Sequence, residues 1–306
     1  MNKLFITGGT GFFGKNILKS ILENEIWLNF LSEIVVLTRD SDKFLKEFPE
    51  FKSDKIFFIN EDVRFFKTER TDFDYIFHLA TDASKDLNDH LPLEMRDVIV
   101  NGTKNILAFA EQQTHLKKLV FASSGAVYGE IPADIDGVKE EDRFDLDFNN
   151  PLNAYAQAKR TAEMMCSIYL KRNNLPIIIA RGFAFMGEYL SECAHFAIKN
   201  FEKQALETGK ISIKSDGIAM RSYMKGEDLA KVLLSLLTAQ SNLYYIYNIG
   251  SDEAKTLKEW AYLIAEKIGK VEVEILNENT EGYSAGKNYI PNVDRMKKEV
   301  EIKRSK

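Results

Sequence analysis

Tyr155 and Lys159 stand four residues apart in Tyr-Ala-Gln-Ala-Lys, a spacing that places both side chains on one face of a helix. The pair is suited to moving a proton. A free phenol titrates near ~10, so its anion at pH 7 costs roughly 4 kcal/mol, and an adjacent ammonium removes part of that cost. In a chain with 12 tyrosines the spacing alone says little. Its weight comes from Ser123-Ser124-Gly125, just beyond the β-type run Leu119 to Ala122, at the carboxyl end of a strand where α/β sheets bind ligands. From there the Ser124 hydroxyl can hold the same substrate oxygen with which Tyr155 exchanges a proton.

A second constellation lies at the start of the chain. Leu4 to Thr7 is β-prone and breaks into Gly8-Gly9-Thr10-Gly11-Phe12-Phe13-Gly14, after which Ile17, Leu18, Ile21 and Leu22 repeat at helical spacing. Glycines at 8, 11 and 14, between a strand and a helix, let the backbone approach a pyrophosphate while the helix N-terminus offers unpaired N–H groups and a positive dipole end. The residues after the second strand then choose between nicotinamide cofactors, because an acid there bonds the ribose 2′-hydroxyl and an arginine accommodates a 2′-phosphate. The run is Val36-Leu37-Thr38-Arg39-Asp40, so NADP is favoured and Asp40 keeps NAD open. Asp62 and Val63, after the third strand, are placed to reach the adenine, although an Asp at a strand end is also a common turn residue. A positively charged nicotinamide would further ease ionisation of Tyr155.

These residues must be carried by a sheet. Ile34 to Leu37, Ile56 to Ile59, Tyr75 to Leu79, Leu119 to Ala122 and Ile177 to Ala180 read as strands separated mostly by helices. Their lack of polar alternation argues for a parallel sheet covered on both faces, a doubly wound α/β fold. Gly129 to Asn150 is a long acidic connection, to be read as an active-site rim or lid or as a solvated excursion. From about Gly182 onward helices mix with short strands such as Ile211 to Ile213 and Val271 to Glu274, which suits a smaller substrate lobe. At 306 residues the chain is long enough for two lobes with a cleft between them.

Composition excludes several classes. Two cysteines and 45% hydrophobic residues rule out a disulfide-stapled scaffold and a disordered chain. A net charge of −5 without a basic run speaks against nucleic acid and anionic membrane as partners. No apolar run approaches the ~20 residues of a membrane span, and Met1 to Gly14 lacks signal-peptide features, so a cytoplasmic location is expected. Cys166 and Cys193 read as structural thiols, and the histidines at 78, 90, 115 and 195 form no metal-ligand pattern.

TGGTGFFG, HLA at 78–80, SSGAVYG at 123–129, YAQAK at 155–159 and RSY at 221–223 together resemble the extended short-chain dehydrogenase/reductase family of NAD(P)-dependent nucleotide-sugar epimerases, dehydratases and reductases. The resemblance runs to about residue 300. It implies a Rossmann domain over 1–181, with 218–250 returning to it, and a nucleotide-sugar lobe from 182–217 and 251–306. Ser124, Tyr155 and Lys159 become the catalytic triad. Gly8, Thr10, Gly11, Phe12, Phe13, Gly14, Thr38, Arg39, Asp62, Val63, Leu79, Ala80, Thr81 and Asn101 join Tyr155 and Lys159 on the cofactor. Ser84, Ser124, Tyr155, Asn200 and Arg221 go to the substrate, with Arg221 on its diphosphate. Homodimerisation through two helices per subunit is common in the family.

Departures from the family pattern narrow the chemistry. The 4,6-dehydratases carry an Asp-Glu pair after the catalytic hydroxyl residue, and UDP-glucuronate decarboxylases carry the Glu; here those positions are Gly125 and Ala126. Ala184 stands where many members have a diphosphate-binding Asn. Reduction and epimerisation need only Ser, Tyr, Lys and the nicotinamide. The expectation is NADPH-dependent reduction of a nucleotide-linked 4-keto-6-deoxyhexose, of the dTDP-4-dehydro-6-deoxyglucose reductase type, feeding deoxysugars to surface polysaccharide such as lipopolysaccharide O-antigen. A nucleotide-sugar 4-epimerase and a non-catalytic NAD(P)-binding sensor are the alternatives.

Overall fold

In the computed structural model, residues 1–81, 89–191, 197–239, 244–276 and 288–299 are described. Ser84, Cys193 and His195 lie outside them. The strands are β1 Asn2–Thr7, β2 Leu31–Thr38, β3 Ile56–Asn60, β4 Tyr75–His78, β5 Lys118–Ser124, β6 Ile177–Gly182, β7 Phe185–Met186, β8 Lys210–Ile213, β9 Met220–Ser222, β10 Met224–Lys225, β11 Ile246–Ile249, β12 Ala254–Thr256 and β13 Glu272–Ile275. The helices are α1 Phe12–Leu22, α2 Glu25–Phe30, α3 Ser41–Glu47, α4 Pro92–Glu111, α5 Ala154–Arg172, α6 Ala197–Thr208, α7 Gly226–Thr238, α8 Leu257–Ile268 and α9 Asp294–Glu299.

A seven-stranded sheet in the order β11-β6-β5-β4-β1-β2-β3 carries the site, and every pairing in it is parallel. Successive side chains of a strand point to opposite faces, and here both faces of the central strands are dry. Leu4, Ile6, Ile34 and Val36 pack with Ile17, Leu18, Leu229 and Leu233 of α1 and α7. Phe5, Val35, Phe121 and Ile179 pack with Ile99, Leu107, Ala158 and Ala162 of α4 and α5. That double burial is why the strands lack polar alternation. The order jumps from β1 to β4 on one side and to β2 on the other, opening a crevice at the carboxyl ends of β1 and β4. The doubly wound α/β architecture is the one expected.

β11 and α7 both come from beyond Gly182 yet belong to the sheet layer: β11 pairs with β6, and α7 packs on α1. A second core forms from α6, α8 and the β8–β13 pair, with Tyr223 edge-on to Trp260. Thr256 and Glu259 close a reciprocal capping box at the start of α8. The 129–150 connection is exposed along much of its length but pinned at intervals. Ile131, Val138, Glu140 and Leu146 are buried, and Val138 exchanges backbone hydrogen bonds with Ile290 and Asn292 at 2.9 and 2.8 Å.

Candidate active site

β1 ends at Thr7, and the chain turns through Gly8 at φ +70°, a conformation that favours glycine. A Cβ on Gly8 would lie 2.7 Å from the Ala80 nitrogen, and one on Gly14 would collide with the backbone of Gly8 and Gly9. Gly11 is different. Its φ is an ordinary −85°, and a Cβ there would approach nothing closer than the Gly8 carbonyl at 3.4 Å. Packing therefore explains two of the three glycines and leaves room in front of the third. That room lies at the N-terminus of α1, which has no side-chain cap and no acid in its first turn. Exposed N–H groups and the positive dipole end fit a pyrophosphate there.

Leu79, Ala80 and Thr81 run alongside this turn. The Leu79 and Ala80 N–H groups donate to the Thr7 carbonyl and hydroxyl, both at 3.1 Å. His78 lies fully buried between Thr7 Oγ1 at 2.8 Å and Thr103 Oγ1 at 3.1 Å. Burial, helped by the charge of Lys159, pulls its imidazole down to about 3, so it is a neutral strut between β4, β1 and α4.

Lys159 and Tyr155 sit on the first turns of α5, against the end of β5. Lys159 Nζ donates to Thr81 Oγ1 at 2.7 Å and to the Ala122 carbonyl at 2.6 Å. Burial draws its ammonium down to about 7, with the Glu163 carboxylate opposing. The Ser124 hydroxyl accepts the Ala126 N–H at 3.2 Å and lies close enough to Tyr155 to influence its titration. Burial pushes the Tyr155 phenol above its usual range, and the nearby Ser124 hydroxyl offsets part of that. The three residues thus meet around one point at the carboxyl edge of the sheet.

Beneath them is a charged cluster that sequence spacing did not reveal. Glu163, one turn beyond Lys159, is gripped by Arg181 through Nε at 2.8 Å and Nη2 at 2.6 Å, and it accepts the Ser123 hydroxyl at 2.6 Å. Arg181 Nη1 also donates to Tyr128 Oη and to the Glu140 carbonyl, both at 3.0 Å. Asn248 on β11 accepts from Tyr128 Oη at 2.6 Å. The network ties α5, β6, β11 and the 129–150 connection to the floor of the site.

Other expected positions are distributed unevenly. Thr38 ends β2, and Arg39 next to it is exposed; Asp40 is the N-cap of α3 and accepts the Lys43 N–H at 2.9 Å. The Asp62 carboxylate is forked by Arg64, with contacts at 2.9 and 2.8 Å, which holds it well below the usual carboxylate range. Val63 is buried, its side chain 2.9 Å from where a Cβ on Gly102 would stand. Asn101 is exposed and bonds Asp97 on its own helix, away from the catalytic strand. The residue of α4 that faces inward is Asn105, which holds the Val63 and Phe66 carbonyls. Asn200 is exposed on α6. Arg221 is half-buried on β9 and donates to the Met220 carbonyl at 2.8 Å; burial lowers its guanidinium's affinity for the proton, and Tyr223 and Tyr289 oppose. Tyr289 reaches Ser124 and was not anticipated, because nothing local in its sequence marks it.

The pattern that defines the NAD dependent epimerase/dehydratase family matches residues 4–250 of this chain. The chain belongs to that family. The resemblance to extended short-chain dehydrogenases/reductases drawn from the motifs therefore holds. Among curated relatives of this family member, UDP-glucuronic acid decarboxylase 1 of Danio rerio is 27% identical over 262 residues, 86% of this chain and 60% of that protein. UDP-glucuronic acid decarboxylase 6 of Arabidopsis thaliana is 27% identical over 290 residues, 91% of this chain and 78% of that protein. The chain thus spans about 60% of the length of the fish relative. Among solved structures, a UDP-N-acetylglucosamine 4-epimerase from Methanobrevibacter ruminantium superposes with a TM-score of 0.80 at 21% identity, covering 97% of this chain and 91% of that one. A dTDP-glucose 4,6-dehydratase from Bacillus anthracis gives 0.75 at 22% identity, covering 98% and 90%. At such identities these two establish a shared fold.

Proposed function

We propose that the protein is an NADPH-dependent reductase of a nucleotide-linked 4-keto-6-deoxyhexose. The observation that carries the reading is the end of β2. Asp40 is engaged in capping α3, while Arg39 is exposed and makes no side-chain hydrogen bond or ion pair to a described residue, although its charge reaches Asp62. An exposed guanidinium there suits a ribose 2′-phosphate. The Gly8 to Gly14 turn would hold the pyrophosphate, and Leu79, Ala80, Thr81, Tyr155 and Lys159 would line the nicotinamide end. When bound, the cofactor supplies the hydride.

The chain's own residues supply the rest. Tyr155, kept protonated by burial, gives its proton to the ketone oxygen, and Ser124 donates a hydrogen bond to the same oxygen. Lys159 steadies the phenolate left behind, and Thr81 and the Ala122 carbonyl hold the lysine in place. No carboxylate stands at 125 or 126, so the acid and base for removing water are missing beside Ser124. Reduction requires the protonated phenol, so turnover should be flat at low pH and fall as pH rises through the Tyr155 pKa. Arg221 is the residue proposed to grip the substrate diphosphate.

The same triad suits a 4-epimerase, and one measurement separates the two. Stoichiometric oxidation of NADPH by the keto-sugar supports the reductase. Interconversion of two nucleotide hexoses with NADPH unchanged replaces it with the epimerase.

We assign residues 1–181 and 218–250 to the cofactor domain, and 182–217 with 251–306 to the sugar-nucleotide lobe. Leu93, Met164 and Ile168 leave apolar side chains exposed on α4 and α5, which supports a homodimer built on those helices. No described helix is long and apolar enough to cross a membrane, and a cytoplasmic location is part of the proposal.

A further inference from the structure

The C-terminal segment places a second phenol in the site. Tyr289 is held from two directions: its N–H donates to the Met220 carbonyl at 3.2 Å, in a bridge that pairs it with Arg221, and its ring lies 4.8 Å from that of Phe183. Its hydroxyl stands over Gly125, where even a Cβ would overlap it, with the ring carbon beneath 3.0 Å from that point. That position, over the neighbour of Ser124, brings the Tyr289 hydroxyl within reach of the Ser124 hydroxyl, on which Tyr155 also converges.

Counting protons around Ser124 gives each group a role. A serine hydroxyl has one proton to donate and two lone pairs to accept with. One lone pair takes the Ala126 N–H at 3.2 Å. If Tyr289 accepted from Ser124, the only serine proton would be spent and none would remain for a substrate. We propose that Tyr289 is a positioning residue, donating its proton to Ser124 so that Ser124 presents its own proton to the substrate oxygen. Burial, and next the nearby charge of an ionised Tyr155, push the Tyr289 phenol far up, so it remains a donor while Tyr155 titrates. The placement also bears on which reactions the site can host. A side chain at position 125, such as a carboxylate for elimination, would compete with the Tyr289 hydroxyl for the same space. The proposal rests on the reading that Ser124 and Tyr155 share the ketone oxygen.

Tyr289→Phe tests it while keeping the ring against Phe183. We expect kcat for keto-sugar reduction to fall about 10-fold, with KM moving less than about threefold, the loss of one hydrogen bond used in the chemical step. The alkaline limb of the kcat/KM profile, set by the free enzyme in which the Ser124 proton is not yet committed to substrate, should also move to higher pH. Without the Tyr289 proton Ser124 is a poorer donor to the Tyr155 phenolate, so the Tyr155 pKa rises and the donor form persists further. Gly125→Ala, whose methyl displaces the Tyr289 hydroxyl, should give the same signature. A change confined to KM or to stability, or kcat and alkaline limb both unchanged, overturns the proposal. A second arm needs no substrate: carbon-13 NMR of labelled tyrosine rings should show the Tyr155 titration midpoint higher in Tyr289→Phe than in the unaltered protein, and equal midpoints overturn it. Failure of the unaltered protein to oxidise NADPH sinks the reductase reading alone, and the NMR result still decides the role of Tyr289.

Discussion

The two sides of the cleft are built in different ways. On the cofactor side, the Gly8 to Gly14 turn, His78 and the Thr81–Lys159 contact are fixed by hydrogen bonds among β1, β4, β5 and the helices that follow them. On the substrate side, Arg221 and Tyr289 come from a short strand and a C-terminal segment 68 residues apart, joined by one backbone bridge, the Met220–Asn288 hydrogen bond and the contact of Tyr289 with Phe183. One side is a rigid sheet edge set by local chain reversals, and the other is assembled from distant pieces. The contrast suggests that chemistry is anchored where the fold is stiff, and that substrate choice is left to pieces that can vary without disturbing the sheet.

Removing the proton donor on the rigid side should have the largest effect. Tyr155→Phe is expected to lower kcat by about 10³-fold or more while leaving NADPH affinity within about threefold, since the phenol acts in the chemical step. Cofactor fluorescence titration beside turnover measures both. A non-catalytic sensor would instead show indifference in every binding assay and no turnover to lose.

Next in size is the floor of the site. Arg181→Met leaves the buried Glu163 carboxylate without its guanidinium, and the stability lost should be about 3–5 kcal/mol by urea unfolding. Replacing both partners, Arg181→Met with Glu163→Met, should recover much of it, because the unpaired charge is removed together with its partner. If the single variant unfolds at the same urea concentration as the unaltered protein, the cluster does not brace the site. The comparison between a stiff and an assembled side would then lose its physical basis.

The same contrast explains what could be read from the sequence. Glycines at 8, 11 and 14, the Tyr155 to Lys159 spacing and the dry strands are all patterns within one element or one turn, where periodicity and backbone conformation leave a local signature. The Arg181–Glu163 grip crosses from β6 to α5, and Tyr289 reaches Ser124 from the far end of the chain; no spacing rule encodes such contacts. Asn101 shows the same limit. Its neighbourhood matches a motif, but helix phase turns it outward to Asp97 and turns Asn105 inward. The recruitment of β11 into the main sheet was expected only through family resemblance, since Tyr244 to Ile249 is a short apolar run of the kind found in either lobe.

The smallest effects sharpen the cofactor choice at the end of β2, where two adjacent residues carry opposite readings. If Arg39 faces a 2′-phosphate, Arg39→Ser should raise the KM for NADPH about 10-fold and leave that for NADH nearly unchanged, the loss of one charge-assisted contact. Asp40→Ala should act differently. Its carboxylate caps α3 through the Lys43 N–H, so the variant should lose about 1 kcal/mol of stability with the ratio of NADPH to NADH affinity unaltered, and Asp40→Asn, which can still cap, should lose less. A ribose-binding Asp40 predicts the reverse, with NADH affinity falling in both variants and stability changing little. Measuring both affinities in all three proteins separates a helix cap beside a phosphate-binding arginine from an NAD-selecting acid. The outcome matters beyond selectivity, because exchangeable NADPH is what net reduction consumes, whereas a closed epimerase cycle regenerates its own dinucleotide.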